Sequence, residues 1–457
     1  METETGVSHT YERVSACSRA VSGVATGLII LTWSAGGLQA QQSGAMRLGE
    51  LYAEARQQSP TLAAARSLAR AAEARIPEAK LPPDPQLQLG FMNRALPGLE
   101  PMPGIGMTQL TLMQMLPVAG QLRLKGGVAR HQAAAAGERA AEAEWEVRTA
   151  VAMAFYDLYA TDRRLAVARE TLRLLQSISR TAESMYRVGE GRQTDVLRAQ
   201  VEIARMTEDT LRMTAMRDAM AARLDALLDR AEHEHREPVL PVFPAALPEL
   251  ETLQQQALAG RRMLRAGAAE VDATSDLRRL AKREIWPDLQ VGIAYARGPS
   301  LAAMDEPTRT EQMGSLMLGA SVPIFARGRQ LAMREEAAAM EQMARADLTA
   351  MRADTRARVA GAFADLERAR RLQQLYRATV LPQAGATVQS AFSSYRVGAV
   401  DFMTLLDNQM TVNEFRSELA VLEADEGKAW AELEMLTGTE LVDPYSTASA
   451  IPAGGDR

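Results

Sequence analysis

The sequence predicts a mainly α chain with four β-strands, written as two copies of one unit. Three observations predict it. Proline is absent between Pro117 and Pro238, and only Pro382 falls between Pro323 and Pro444, which leaves room for unusually long helices. Four short segments alternate apolar with polar or small residues at a period of two, the mark of half-exposed strands. One phrase also recurs: Tyr186-Arg187-Val188-Gly189 and Tyr395-Arg396-Val397-Gly398, each followed at the same distance by a glutamine, Gln200 and Gln409.

The recurrence is not isolated. Gln121 answers Gln330, Ala154–Leu158 answers Ala362–Leu366, Pro117 answers Pro323 and Pro83 answers Pro287, in order and at a drifting offset of roughly 205 residues. That period is too long for a solenoid, so each half is a domain-sized unit. The boundaries are residues 41–249 for the first repeat and 250–457, with a polar C-terminal tail, for the second. Four prolines, Pro238, Pro241, Pro244 and Pro248, make the join a stiff extended linker.

Residues 1–40 have the layout of an export signal. Arg13 and Arg19 precede the apolar stretch Ala20–Trp33, small residues follow, and cleavage near Ala40 fits. A disordered tail is the alternative. The only cysteine, Cys17, precedes the apolar stretch, so its lipoprotein-like surroundings are misplaced and it falls within the removed signal. The mature chain then offers no disulfide and no cysteine-based metal or catalytic site.

The first long helix covers Gln121–Tyr186, about 100 Å at about 1.5 Å per residue. Val151, Leu158, Leu165 and Leu172 fall at heptad spacing, and Ala154, Ala168, Leu175 and Ala182 add a second seam of mostly small residues. Shorter helices are expected at about Leu48–Glu78, Thr194–Glu232, Leu250–Arg283 and Phe402–Leu436. Pro382 should kink or restart the second long helix.

Each half carries two strands. Leu87, Leu89 and Phe91 share a face opposite Gln86, Gln88 and Gly90. Leu110, Leu112 and Leu116 share another, with Gln114 as a defect. Leu289, Val291, Ile293 and Tyr295 alternate with Asp288, Gln290, Gly292 and Ala294, and Leu316, Leu318, Ala320 and Val322 with Ser315, Met317, Gly319 and Ser321. The connecting loops, 93–108 and 297–312, are rich in Gly, Pro and polar residues. Each strand can cross a bilayer when tilted; a soluble half-buried hairpin is the alternative. Four strands cannot close a barrel, and an open edge in lipid is prohibitive. On the membrane reading several chains must therefore pool their strands.

Signal, helix, hairpin, long helix, Tyr-x-x-Gly turn and return helix, all repeated, resemble the TolC family of outer membrane efflux proteins over essentially the whole mature chain. The best marks are "YRVGEGRQTDVLRAQ" and "YRVGAVDFMTLLDNQ", supported by "VLPQAGATVQSAFSSYRVG" and the strand-ending "LP" and "VP". The resemblance implies a homotrimer in the outer membrane of a Gram-negative cell. Twelve strands would form a β-barrel among outer membrane lipids, and coiled helices an α-barrel reaching into the periplasm. It implies two partners, a periplasmic adaptor (membrane fusion protein) and an inner-membrane RND-type pump. The adaptor would dock on the tips, Val188-Gly189-Glu190 and Val397-Gly398-Ala399. It also implies a tip constriction by acidic residues after the second glycine. Asp407 fits the later position, Thr404 occupies the earlier one, and Asp401 lies one turn before. Arg198 stands in the first half where Asp407 stands in the second, and Asp195 where Thr404 stands. On the residues alone, the glycines serve a tight turn and the carboxylates a helix start.

Composition excludes other classes. The net charge is −5 without a basic stripe, which gives no support for nucleic-acid binding. There is no Gly-x-Ser-x-Gly, no P-loop and no nucleophilic Cys with a His partner, so neither an enzyme nor a cofactor is expected, and the energy for transport must come from another protein. A periplasmic coiled-coil scaffold or adaptor is the alternative function. The chain has 24 methionines, partly clustered at Met92, Met102, Met107, Met113 and Met115. Thioethers bind soft cations such as Cu(I), which brings in the heavy-metal (CusC/CzcC-like) branch; flexible apolar filler is the other reading. His233 and His235 sit in a charge run beside the linker, and no metal site is assigned to them.

Overall fold

A computed structural model describes residues 44–102, 105–231, 236–299, 310–322, 324–325 and 328–446. The expected signal, the His233/His235 run, most of the second inter-strand loop and the end of the C-terminal tail lie outside them. Helices α1 (Leu48–Gln58) and α2 (Pro60–Lys80) lead to strands β1 (Gln86–Met92), β2 (Arg94–Ala95), β3 (Glu100–Pro101) and β4 (Met107–Leu116). Then come α3 (Gln121–Arg187) and α4 (Gln193–Leu228). The second half runs α5 (Leu250–Gly260), α6 (Arg262–Arg283), β5 (Asp288–Pro299), β6 (Thr310–Ser321), α7 (Gln330–Leu375), α8 (Leu381–Arg396) and α9 (Phe402–Thr437).

The long helix expected over Gln121–Tyr186 is continuous, α3 running for 67 residues, and the heptad seam within it faces inward except at its last member, Leu172, which is half-buried. Val151, Leu158 and Leu165 are buried, as are Ala154, Ala168, Leu175 and Ala182. Its first part packs against α2 and α6, its second part against α4 and α9, while α7 packs against α6 and α9. The helices therefore fall into four columns. Two are long, α3 and α7 with α8. Two are composite, α2 with α4 and α6 with α9. Small side chains keep the columns close: a Cβ on Gly427 of α9 would lie 2.2 Å from Tyr156 of α3.

Several expectations need correction. The helix expected over Leu48–Glu78 is two helices, broken at Ser59. Ser59 has ψ 119°, the extended conformation forced on a residue before proline, and Pro60 opens α2 at its first turn. The helix expected over Leu250–Arg283 is broken at the equivalent place without proline. Arg261 is extended there, with φ −60° and ψ 121°. Its side chain reaches Glu142 of α3 at 3.3 Å and the Thr355 hydroxyl of α7 at 2.6 Å. The other Glu142 oxygen accepts the Met263 amide at 3.1 Å, capping α6 from outside. The helix expected over Thr194–Glu232 begins at Gln193 and ends at Leu228, where Asp229 turns left-handed at φ 54°. The strand count is also higher: β2 and β3 fold the first loop into a small hairpin besides the four long strands.

Pro382 does interrupt the second long helix. It has no N–H to offer the preceding turn, and residues Tyr376–Val380 form a π-helical segment between α7 and α8 that takes up the mismatch. The linker is extended but not free. Met46 pairs with it, donating to Glu237 O at 2.8 Å and accepting from Val239 N at 3.1 Å.

Candidate functional site: two helical tips and one sheet

The two turns that carry the repeated phrase close in the same way. In the first, Gly189 has φ +82°, and the amides of Gly189 and Glu190 donate to Tyr186 O (3.1 Å) and Met185 O (2.9 Å). In the second, Gly398 has φ +70°, and the amides of Gly398 and Ala399 donate to Tyr395 O (3.0 Å) and Ser394 O (2.9 Å). Each is a left-handed helix stop of the Schellman kind. A Cβ on either glycine would meet nothing within 4 Å, so backbone conformation, not space, calls for glycine there. Val188, Gly189, Glu190, Val397, Gly398 and Ala399 are all exposed.

Both turns cap one shared core. Ala182 and Ala199 from the first tip pack in one apolar cluster with Ala391, Tyr395, Phe402, Leu405 and Leu406 from the second. The Tyr395 ring meets Phe402 edge-on at 5.5 Å. Burial, and then the charge of Asp195 from the other tip, push the Tyr395 phenol pKa up.

The three constriction candidates separate. Asp401 is the N-cap of α9, its carboxylate accepting the amides of Met403 and Thr404. Thr404 and Asp407 are exposed on the α9 face turned away from Leu405, Leu406 and Gln409. Arg192, in the position equivalent to Asp401, gives α4 no side-chain cap.

The four long strands form one antiparallel sheet in the order β1-β4-β5-β6. Register puts Leu89, Leu110 and Tyr295 in one row, and Leu87, Leu112, Ile293 and Leu316 in the next. The apolar residues of all four strands thus share a face, and that face is exposed. Gln114, the defect on it, turns its amide to Pro83 O (2.7 Å) and Met115 O (2.8 Å). Trp286 and Phe325, both exposed, lie in sequence just outside the helix-proximal ends of β5 and β6. Among the described residues, β1 and β6 each leave one edge unpaired. No helix among them is long and apolar enough to cross a membrane.

A buried charged knot, which sequence reasoning missed, ties the columns together. Arg148 of α3 bonds Glu434 of α9 at 3.2 Å and stacks over the Tyr52 ring at 4.2 Å. Glu434 also accepts the amides of Leu441 (2.8 Å) and Val442 (2.9 Å), and burial raises its pKa. Its partners are far apart in sequence, so no local pattern could have found it.

Residues 51–230 and 253–439 match the family model described as outer membrane efflux protein. The chain belongs to this family. The family is one of efflux channels of the outer membrane, and the helical columns with their few strands are its fold. A 213-residue stretch is 27% identical to the pyoverdine export outer membrane protein OpmQ of Pseudomonas putida, covering 44% of this chain and 43% of that one. The aligned part is less than half of that relative. Solved structures agree in fold over 86% of the chain. CusC superposes with TM-score 0.74 at 18% identity, over 92% of that chain. VceC of Vibrio cholerae gives 0.71 at 18%, over 96% of that chain. The open state of the Neisseria gonorrhoeae MtrE channel gives 0.70 at 16%, over 89%.

Proposed function

We propose that this efflux protein is the passive exit duct of a tripartite system, assembled as a homotrimer. Three copies pool their sheets into a twelve-stranded barrel in the outer membrane, and their helical columns form a tunnel in the periplasm. The observation that carries this reading is the sheet. An exposed apolar face, with exposed Trp286 and Phe325 close in sequence to the helix-proximal strand ends, suits lipid, whereas the unpaired edges of β1 and β6 do not. Pairing β6 of one copy with β1 of the next removes both edges at once.

A periplasmic adaptor docks on the exposed tips, Val188-Gly189-Glu190 and Val397-Gly398-Ala399. An inner-membrane RND-type pump supplies the energy. Asp407, three copies of it, forms an acidic ring at the tip beside Thr404, while Asp401 serves first as a cap. The cargo is heavy-metal cations or drug-sized molecules, and the CusC-like branch is the preferred placement. The test is fractionation with cross-linking. Recovery in outer membranes, released by detergent as a cross-linked trimer, is expected. Recovery as a folded soluble monomer without detergent overturns the reading.

A further inference from the structure

The sheet's second face has a composition of its own. Six methionines lie in its long strands: Met92, Met107, Met113, Met115, Met313 and Met317. Register places every one on the face opposite the leucines. Met92 pairs with Met107, Met113 with Gln86 and Gly292, Met115 with Gln290, Met313 with Ala296 and Met317 with Gly292. The apolar face holds none. Apolar filler would favour the apolar face. These thioethers sit instead among Gln, Ser, Thr, Gly and Ala, with one carboxylate at each end of the face, Asp288 and Glu311.

Two of them converge, and a third lies next to them on the same face. Met113 on β4 and Met317 on β6 flank Gly292, on strands about 10 Å apart across β5. A Cβ on Gly292 would lie 3.2 Å from Met113 Cγ and 3.4 Å from Met317 Cε, so the missing side chain is what lets the two lean together. Met115 follows Met113 on the same face, beside Gln290 and Gly319. The nearby carboxylate on that face, Asp288, is engaged, accepting from Gln121 Nε2 at 3.0 Å. What remains is a neutral donor set of three thioethers with an amide beside it. Such a set is too poorly charged for a hard divalent cation and is matched to a soft monovalent one.

We propose that Met113, Met115 and Met317 form a site for a soft monovalent cation of the Cu(I)/Ag(I) class, on the face that lines the lumen when the apolar face meets lipid. Neutral thioethers hold such an ion weakly enough to pass it on, as a conduit with successive sites requires. The role in transport rests on the channel reading above; cation binding itself does not.

The test uses the full chain in detergent with silver nitrate as probe, in chloride-free buffer. Saturable silver binding is expected, undisturbed by excess potassium or magnesium. It should weaken at least tenfold in Met113→Leu/Met115→Leu/Met317→Leu, whose substitutions keep side-chain volume and apolarity. In parallel, the chain is labelled with methyl-13C methionine, and single Leu variants assign the signals. Silver should shift the three methyl resonances together. No saturable binding by the wild type, equal binding by the triple variant, or shifts confined to other methionines overturns the site. Wild-type conductance in planar bilayers is recorded alongside. Pores without silver binding overturn the site and leave the channel standing; silver binding without pores supports the site and overturns the channel.

Discussion

Tyr186 and Tyr395 hold the same place in the repeated phrase, yet Tyr186 is 47% exposed and Tyr395 only 4%. The second tip therefore folds its tyrosine into the core shared by α3, α4, α8 and α9, and the first turns it out. The Tyr395 hydroxyl is buried with no hydrogen-bond partner among the described residues. Burying a hydroxyl unpaired costs about 1–3 kcal/mol. Tyr395→Phe should therefore raise stability by about 1 kcal/mol, and Tyr395→Ala should lower it by about 3–5 kcal/mol through the lost ring. Tyr186→Phe should change stability by less than about 0.5 kcal/mol. Heat-induced loss of helical circular dichroism in detergent reads all three. A loss of stability in Tyr395→Phe would place a partner for the hydroxyl outside the described residues.

The turn glycines are needed for their φ and not for their space, which makes a graded prediction. Gly189→Ala and Gly398→Ala should each cost about 1–2 kcal/mol, the usual penalty for a side chain in the left-handed region. Gly189→Asn and Gly398→Asn should cost less, because Asn tolerates that region. If a tip tolerates Ala as well as Asn by thermal melting, its turn does not hold the left-handed φ.

The Arg261–Glu142 pair should behave as a unit. Both side chains are almost fully buried, at 9% and 2% exposure, and both also bond other groups, Thr355 and the Met263 amide. Removing either partner leaves the other charge buried, at a cost of about 3–5 kcal/mol. The pair Arg261→Met/Glu142→Leu should be less damaging than the sum of the single changes. A double-mutant cycle that closes additively would refute the coupling.

Much of the architecture could be read in advance, and the reason is local periodicity. The α3 seam, the period-two strands and the left-handed tip glycines all follow from spacing along one segment. What escaped depended on distant partners. The break at Ser59 has a proline beside it. The break at Arg261 has none, because Glu142 and Thr355, from other helices, hold it open. Likewise the tyrosines of the two tips share a motif and differ only in what packs on them. The methionines could be counted from sequence, but only the strand register brings Met113 and Met317 to the same glycine. Asp401 carried two readings, constriction candidate and helix-start carboxylate, and its carboxylate caps α9.

Asp407 is the constriction candidate that keeps its carboxylate exposed. It lies on the α9 face away from the core, with Thr404 one turn before it. Its backbone carbonyl accepts the Thr411 hydroxyl at 2.8 Å. In the proposed trimer three such carboxylates would concentrate cations at the tip, and the effect would fall with ionic strength as screening shortens its reach. Asp407→Ala should thus lower cation over anion selectivity in planar-bilayer recordings, most visibly at low salt. Asp407→Glu should largely retain it, and Asp401→Ala should chiefly cost helix stability, about 1 kcal/mol. Arg198, the equivalent residue of the first tip, supplies the control. If Asp407→Ala leaves selectivity unchanged while Arg198→Ala alters it, the pore is lined by the first tip, and the roles of the two turns are exchanged.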